Sequence, residues 1–172
     1  MRGAALSARP VSQEVKLMNT RTLKKHLKYI VPELKLALIK EPGKKPIPVT
    51  CPKDIERFVE PLRIYSEEHF VCFHLNAKNA VSGFQIVSHG TISASLVHPR
   101  EVYKAAILSN AHAIIVAHNH PAGSTTPSRE DFETTEQLIK AGELMGVPLL
   151  DHVIVTASDL CSMREDYGYL WS

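Results

Sequence analysis

The sequence predicts an α/β fold built on a mixed β-sheet, and three observations support that prediction. Two β-type segments, HFVCFHLN and VSGFQIVSH, flank the turn residues Asn76 to Asn79, a pattern typical of a hairpin. The short apolar run AIIVA at 113–117 is typical of a buried central strand. Segments with apolar residues at helical spacing occur between these strands. Strands and helices that mix in this way, hairpins included, favour a mixed sheet flanked by helices.

The sequence of the N-terminal part of the chain predicts little regular structure. Residues 1–20 are aperiodic, and we expect a flexible tail. Residues 21–50 are expected to form a short extension that begins with a basic helical segment, stopped by Pro32. The string ELKLALIK at 33–40 then has the alternation of a half-buried strand. Prolines and a glycine between residues 42 and 48 predict a loop.

Residues 51–172 are expected to form one domain. A helix should begin at Pro52, and the hairpin and the short strand SASLV should follow it. A second helix should begin at Pro99, and a third should run from about Arg129 to Met145, where Gly146 ends it. LLDHVIV, which follows this helix, is the last clear strand.

Composition excludes several classes of protein. Of 172 residues, 44% are hydrophobic and 22% are charged, which excludes wholesale disorder, collagen and a coiled coil. The three cysteines are scattered and form no CxxC, so a disulfide framework, a cysteine-based zinc ribbon and a thioredoxin-like site are excluded. Without a signal-peptide pattern or an apolar run of roughly 18 residues, we expect a soluble cytoplasmic protein without membrane contact.

The segment AIIVAHNHPAGSTTPSREDF contains the candidate metal-binding residues. His118 and His120 lie two residues apart at the carboxyl end of a strand, so both side chains point to one face. Ser128 is a typical N-cap residue, and Asp131 falls in the first turn of the helix that follows. Two imidazoles and one carboxylate suit Zn²⁺ and leave a fourth position for water, which favours a catalytic rather than a structural site.

A structural explanation of the same residues stays open at this point. His118 and His120 could be hydrogen-bonded core histidines. Asp131 could be an acid that favours the helix dipole, with Ser128 only a cap.

The spacing also carries a family resemblance. His118-x-His120, seven residues, Ser128, two residues and Asp131 match the JAMM motif of the MPN/JAB metalloprotease superfamily. The longer string HNHPAGSTTPSREDF, with HGTISASLVHPREVYKAAI before it and LLDHVIV after it, resembles the RadC-like branch over about residues 50–168.

The resemblance implies a JAB/MPN fold, a mixed sheet flanked by helices with a layout similar to that of cytidine deaminases. It implies that His118, His120 and Asp131 bind zinc and that Ser128 helps to hold the oxyanion of a tetrahedral intermediate. The superfamily's acid/base glutamate matches Glu68 best, with Glu67 as the alternative. Asp151-His152 lies in a predicted strand whose sequence resembles that of the family. The pair is either a partner of a zinc-binding histidine or a buried pair unrelated to metal.

These inferences favour a zinc-dependent metallohydrolase, a peptidase or isopeptidase with a protein or peptide substrate. The alternative is a non-enzymatic RadC-like module associated with DNA repair or mobile elements. It would contact nucleic acid through a basic cluster formed by Arg21, Lys24, Lys25 and Lys28. The net charge of +2 does not require such a partner. Zinc nucleobase deamination would need His-x-Glu and Pro-Cys-x-x-Cys, which the chain lacks. Nothing in the sequence indicates an oligomeric state.

Overall fold

A computed structural model describes residues 46–90 and 97–172, and six strands within them form one mixed sheet. β4 and β5 are parallel neighbours, and the other neighbouring strands pair antiparallel. The sheet order is β1-β3-β2-β4-β5-β6. This arrangement confirms the mixed α/β fold. The strands are β1 (Ile47–Pro48), β2 (His69–Leu75), β3 (Ala80–His89), β4 (Ala113–Asn119), β5 (Leu149–Val155) and β6 (Leu160–Ser162).

In the described part of the chain, four α-helices accompany the sheet: α1 (Pro52–Val59), α2 (Pro99–Leu108), α3 (Arg129–Met145) and α4 (Met163–Asp166). Two 3₁₀ helices cover Glu60–Ile64 and Gly168–Trp171. The longest helix, α3, begins after Ser128 and ends where Gly146 adopts the left-handed conformation with φ 67°. Within the described ranges, no helix is both long enough and apolar enough to cross a membrane.

The central strands are buried on both faces, and their residues alternate between two apolar layers. Val71, Phe73 and Ile115 contact the layer that contains α1. Phe70 and Val116 belong to the opposite layer, which contains residues of α2 and α3. His118 follows Val116 by two residues and therefore lies on the α3 side of the sheet.

The parallel pair β4 and β5 is joined through α3, and this crossover creates the site. The carboxyl end of β4 meets the amino end of α3 across a loop at residues 120–128. The backbone N–H of His120 donates to Val155 O at 2.8 Å, which anchors the start of the loop to β5. Gly123 has φ 88°, so the turn that brings the loop back needs a residue without a Cβ.

Two predictions need correction. The stretch at 42–48 was expected to be a loop, but Ile47–Pro48 forms a short edge strand on β3; an edge position tolerates proline because its missing N–H breaks no ladder bond. LLDHVIV is not the last strand, because β6 follows with only three residues, too few to produce a periodic signal. The predictions for residues 1–20, the basic helix, ELKLALIK and most of SASLV lie outside the described residues.

Candidate metal centre

The two histidines of the His-x-His pair face each other at the end of β4. His118 Nε2 and His120 Nε2 lie 2.9 Å apart, as expected for residues on one face of a strand. His118 is buried, with 1% of its surface exposed, whereas the side chain of His120 is 15% exposed. Solvent therefore reaches the pair from the His120 side.

Asp131, in the first turn of α3, completes the group. Its Oδ1 lies 3.1 Å from His118 Nε2, and its Oδ2 lies 3.5 Å from His120 Nε2. The backbone N–H and the hydroxyl of Ser128 both donate to Oδ2, at 2.7 and 2.6 Å. These two bonds fix the carboxylate and leave Oδ1 directed at His118.

The donor set fits a tetrahedral zinc ion. Zinc–nitrogen and zinc–oxygen bonds of about 2.0–2.2 Å place tetrahedral ligand atoms about 3.3 Å apart. The two Nε2 atoms are 2.9 Å apart, and the nearest Asp131 oxygen is 3.1 Å from His118 (Oδ1) and 3.5 Å from His120 (Oδ2). Imidazole nitrogens and a carboxylate oxygen are ligands that zinc accepts, and three of them leave one coordination position for water.

The protonation of the group agrees with cation binding. Burial favours the neutral acid of Asp131, but hydrogen bonds with His118, His120 and Ser128 outweigh it and hold the pKa of Asp131 well below its usual range. The hydrogen bond to Asp131 raises the pKa of His120, against the opposing effect of burial. The buried carboxylate is thus ionised at neutral pH, as a metal ligand must be.

The second ring nitrogen of His120 fixes its tautomer. Nδ1 lies 2.7 Å from Ser124 O, and a carbonyl oxygen can only accept a hydrogen bond. Nδ1 therefore carries a proton, so a metal ion that displaces the proton shared with Asp131 would find the lone pair of the neutral ring on Nε2.

Ser128 is a helix cap as well as a candidate catalytic residue. Its Oγ accepts from the backbone N–H of Asp131 at 3.1 Å, and the reciprocal bond from the Ser128 N–H completes a capping box. The hydroxyl proton points to Asp131 Oδ2. Donation to an oxyanion would require the hydroxyl to rotate away from that carboxylate, so the oxyanion role stays a prediction.

Glu68 and Glu67 occupy different positions relative to the histidines. Glu68, half-buried, directly precedes β2 and lies near enough to His120 to contribute to the raised pKa of that imidazole. Glu67 is exposed, and its backbone carbonyl lies 2.9 Å from His69 Nδ1. The electrostatic effect on His120 and the lower exposure favour Glu68 over Glu67 as the candidate acid/base residue.

Asn119 is a residue whose part the sequence did not reveal. It lies between the two histidines, and its buried side chain fixes the segment before β2. Asn119 Oδ1 accepts from the backbone N–H of His69 at 2.7 Å, and Nδ2 donates to the carbonyls of Glu67 and Tyr65 at 3.0 and 3.2 Å. These bonds bracket Glu68. No local signal marks them, because they join residues at least 50 positions apart.

His152 lies behind His118, on the side away from His120. Its Nε2 is 2.8 Å from His118 Nδ1, and its Nδ1 is 2.7 Å from Thr135 Oγ1. The neighbouring Asp151 plays a different part, since its carboxylate accepts from Ser162 Oγ and from the backbone N–H of His152, both at 2.7 Å. His152 is thus the member of the Asp151-His152 pair that contacts the site.

His118, Asp131 and His152 form a second set of three residues whose ligand atoms lie within 4.8 Å of one another. Both sets share His118 and Asp131. We favour the set with His120, because His118 and His120 turn their Nε2 atoms toward Asp131, whereas His152 faces the opposite nitrogen of the His118 ring.

A cavity of about 350 Å³ lies elsewhere, between the start of α1 and the sheet. Ile55, Ile115 and Leu150 are among its lining residues, and Asp151 also borders it, but the candidate ligands His118, His120 and Asp131 do not. The histidine site is therefore not part of this cavity.

Sequence comparisons with known proteins identify the family of the chain. A sequence model of the RadC-like JAB domain matches residues 49–169. The chain is 48% identical over 118 residues to a UPF0758 protein of Halalkalibacterium halodurans, which covers 68% of this chain and 51% of the relative. It is 47% identical over 122 residues to a UPF0758 protein of Caldanaerobacter subterraneus, 70% of this chain and 52% of the relative. The chain thus spans about half the length of these curated relatives. It belongs to the RadC-like JAB domain family.

Proposed function

We propose that this protein is a zinc-dependent metallohydrolase that cleaves amide bonds, as a peptidase or isopeptidase, in a protein or peptide substrate. The observation that supports the proposal most directly is the convergence of three side chains: His118 Nε2 lies 2.9 Å from His120 Nε2 and 3.1 Å from Asp131 Oδ1, and Asp131 Oδ2 lies 3.5 Å from His120 Nε2. His118, His120 and Asp131 would hold the ion. Zinc bound there would polarise a substrate carbonyl and lower the pKa of water to about 7.

Glu68 supplies the proton transfer in this proposal. Its carboxylate accepts a proton from the attacking water and then delivers that proton to the nitrogen of the departing amine. The position of Glu68 beside His120, at the solvent-accessible side of the histidine pair, supports this assignment. Its backbone is held in place from both sides by the hydrogen bonds of Asn119.

At the start of α3, Ser128 orients the carboxylate of Asp131 toward the site. The two bonds from Ser128 orient the carboxylate of Asp131 before any ligand arrives. When a carbonyl oxygen gains negative charge, the Ser128 hydroxyl can turn from Asp131 Oδ2 to donate to it.

The proposal is tested by a metal-dependent cleavage screen. The purified protein would be stripped with a chelator, reloaded with zinc, and incubated with a library of peptides and isopeptide-linked conjugates whose products are identified by mass spectrometry. We expect cleavage that zinc restores and that His118→Ala abolishes. No zinc-dependent cleavage by the wild-type protein, or equal cleavage by His118→Ala, would overturn the proposal.

A further inference from the structure

A continuous line of hydrogen bonds runs from the backbone of one candidate ligand to the ring of another. It starts at the carbonyl of Asp131, passes through Thr135 Oγ1 at 2.6 Å and reaches His152 Nδ1 at 2.7 Å. His152 Nε2 then lies 2.8 Å from His118 Nδ1. Each atom along the line is buried, so water does not compete for these bonds.

The direction of every bond follows from the carbonyl at its start. A carbonyl oxygen only accepts, so Thr135 donates its single hydroxyl proton to Asp131 O. Met163 Sδ, the other acceptor near this hydroxyl, is farther away at 3.5 Å and weaker. With its proton used, Thr135 Oγ1 can only accept from His152, whose Nδ1 must therefore carry a hydrogen.

The same assignment of donors and acceptors extends to His118. His152 is fully buried, and its ring nitrogens face a hydroxyl and an imidazole, neither of which offers the negative charge that a buried imidazolium needs. With Nδ1 protonated in a neutral ring, His152 Nε2 accepts, and His118 Nδ1 donates to it. In the neutral ring that binds a metal ion, His118 Nε2 then has a lone pair, directed at the point shared with His120 and Asp131.

We propose that Thr135 and His152 are positioning residues that fix the tautomer of His118, so that the nitrogen facing His120 and Asp131 is the one free to bind zinc. This inference rests on the zinc site of the proposed function. It assigns Asp131 two roles. Its carboxylate is a candidate ligand, and its backbone carbonyl, through Thr135, fixes the proton of His152 on Nδ1. Residues that orient a metal-binding histidine in this way typically change metal affinity by 10- to 100-fold when they are removed.

The test compares Thr135→Val with Thr135→Ser. Valine keeps the shape of threonine without the hydroxyl, so His152 loses its acceptor and can shift its proton to Nε2, which forces the proton of His118 onto the metal-facing nitrogen. Serine keeps the hydroxyl. We expect zinc affinity, measured by chelator competition on the metal-free protein, to fall about 10- to 100-fold in Thr135→Val and to stay near the wild-type value in Thr135→Ser.

A second pair of variants guards against loss of folding. His152→Gln can still accept from His118 and donate to Thr135, whereas His152→Phe can do neither. We expect the glutamine variant to retain more zinc affinity than the phenylalanine variant at equal helical content by circular dichroism. Equal zinc affinity across the wild-type protein, Thr135→Val and His152→Phe would overturn the inference.

A direct readout separates this inference from the proposed function. Long-range ¹H–¹⁵N spectra of histidine-labelled, metal-free protein report which ring nitrogen carries the proton. We expect His118 Nδ1 to carry a hydrogen in the wild-type protein and to lose it in Thr135→Val, and a wild-type His118 without a hydrogen at Nδ1 would overturn the inference. A wild-type protein that binds no zinc would instead overturn the proposed function. The position of the proton on His118 would still test the line of hydrogen bonds from Asp131 through Thr135 and His152.

Discussion

Phe70 and His118 are paired residues on the antiparallel strands β2 and β4, and their rings stack with centroids 5.8 Å apart and planes at 12°. Antiparallel pairing means that a step back along β2 corresponds to a step forward along β4. Continued past this last pair, the register would bring the residue two before Phe70 toward the residue two after His118. These residues are Glu68 and His120, and the electrostatic effect of Glu68 on the pKa of His120 agrees with that approach.

Replacing the acid/base carboxylate should stop turnover without loss of metal. Glu68→Gln keeps the shape of the side chain but cannot accept a proton, so hydrolysis should slow by about 100- to 10,000-fold. Glu67→Gln is the matched control, because Glu67 is exposed. The measurement is the rate of product formation at saturating substrate, with zinc content determined on the same samples. If Glu67→Gln were the inactive variant, the assignment of the acid/base residue would be wrong.

Removing the side chain of Asn119 should release the segment that carries Glu68. Asn119→Ala leaves the backbone groups of Tyr65, Glu67 and His69 without their present partner, and unfolding should become easier by about 1–3 kcal/mol. The His69 amide should exchange its hydrogen faster, while zinc binding persists and turnover falls. Hydrogen exchange measured by NMR checks this prediction. Unchanged protection of His69 would contradict the assigned contact.

The buried His74 should make stability depend on pH. Its side chain is 4% exposed, its Nδ1 lies 3.1 Å from Ser109 Oγ, and burial lowers its pKa. The unfolded chain binds a proton near pH 6.5, so the contribution of neutral His74 is complete above that pH and is lost as the pH falls below it, by at most about 1.4 kcal/mol per pH unit.

This dependence can be isolated with His74→Phe. Urea unfolding of the metal-free protein between pH 7 and pH 5 should show a shallower loss of unfolding free energy in the variant than in the wild-type protein. The contributions of the other histidines are present in both proteins and cancel in the difference. Identical slopes would exclude His74 as a source of the pH dependence.

Gly142 should tolerate no side chain, because α3 approaches its neighbours closely there. A Cβ at this position would clash with Tyr103 Oη and come within 2.7 Å of the backbone oxygen of Val147. Overpacking of about 1–3 kcal/mol outweighs the gain of up to about 1 kcal/mol in helix propensity, so Gly142→Ala should lower the free energy of unfolding. Gly168→Ala, where the added Cβ meets nothing within 4 Å, is the control for thermal unfolding. Equal stability of the two variants would contradict this packing.

Local patterns predicted the parts of the site that are close in sequence. The two-residue spacing placed His118 and His120 on one face, and the capping preference of Ser128 placed Asp131 in the first turn of α3. The resemblance to the JAMM motif directed attention to Glu68. The Asn119 bonds and the line through Thr135 and His152 could not be predicted in this way, because they join separate elements across the sheet and depend on the strand order β2-β4-β5.

The measurement that tests the metal centre most directly is the zinc content of the purified wild-type protein beside His120→Ala. His120 belongs to only one of the two overlapping residue sets, so this variant distinguishes them. We expect one zinc ion per wild-type chain after loading and dialysis, and none in His120→Ala, determined by inductively coupled plasma mass spectrometry. A wild-type chain without stoichiometric zinc, or a His120→Ala variant that retains it, would contradict a centre formed by His118, His120 and Asp131.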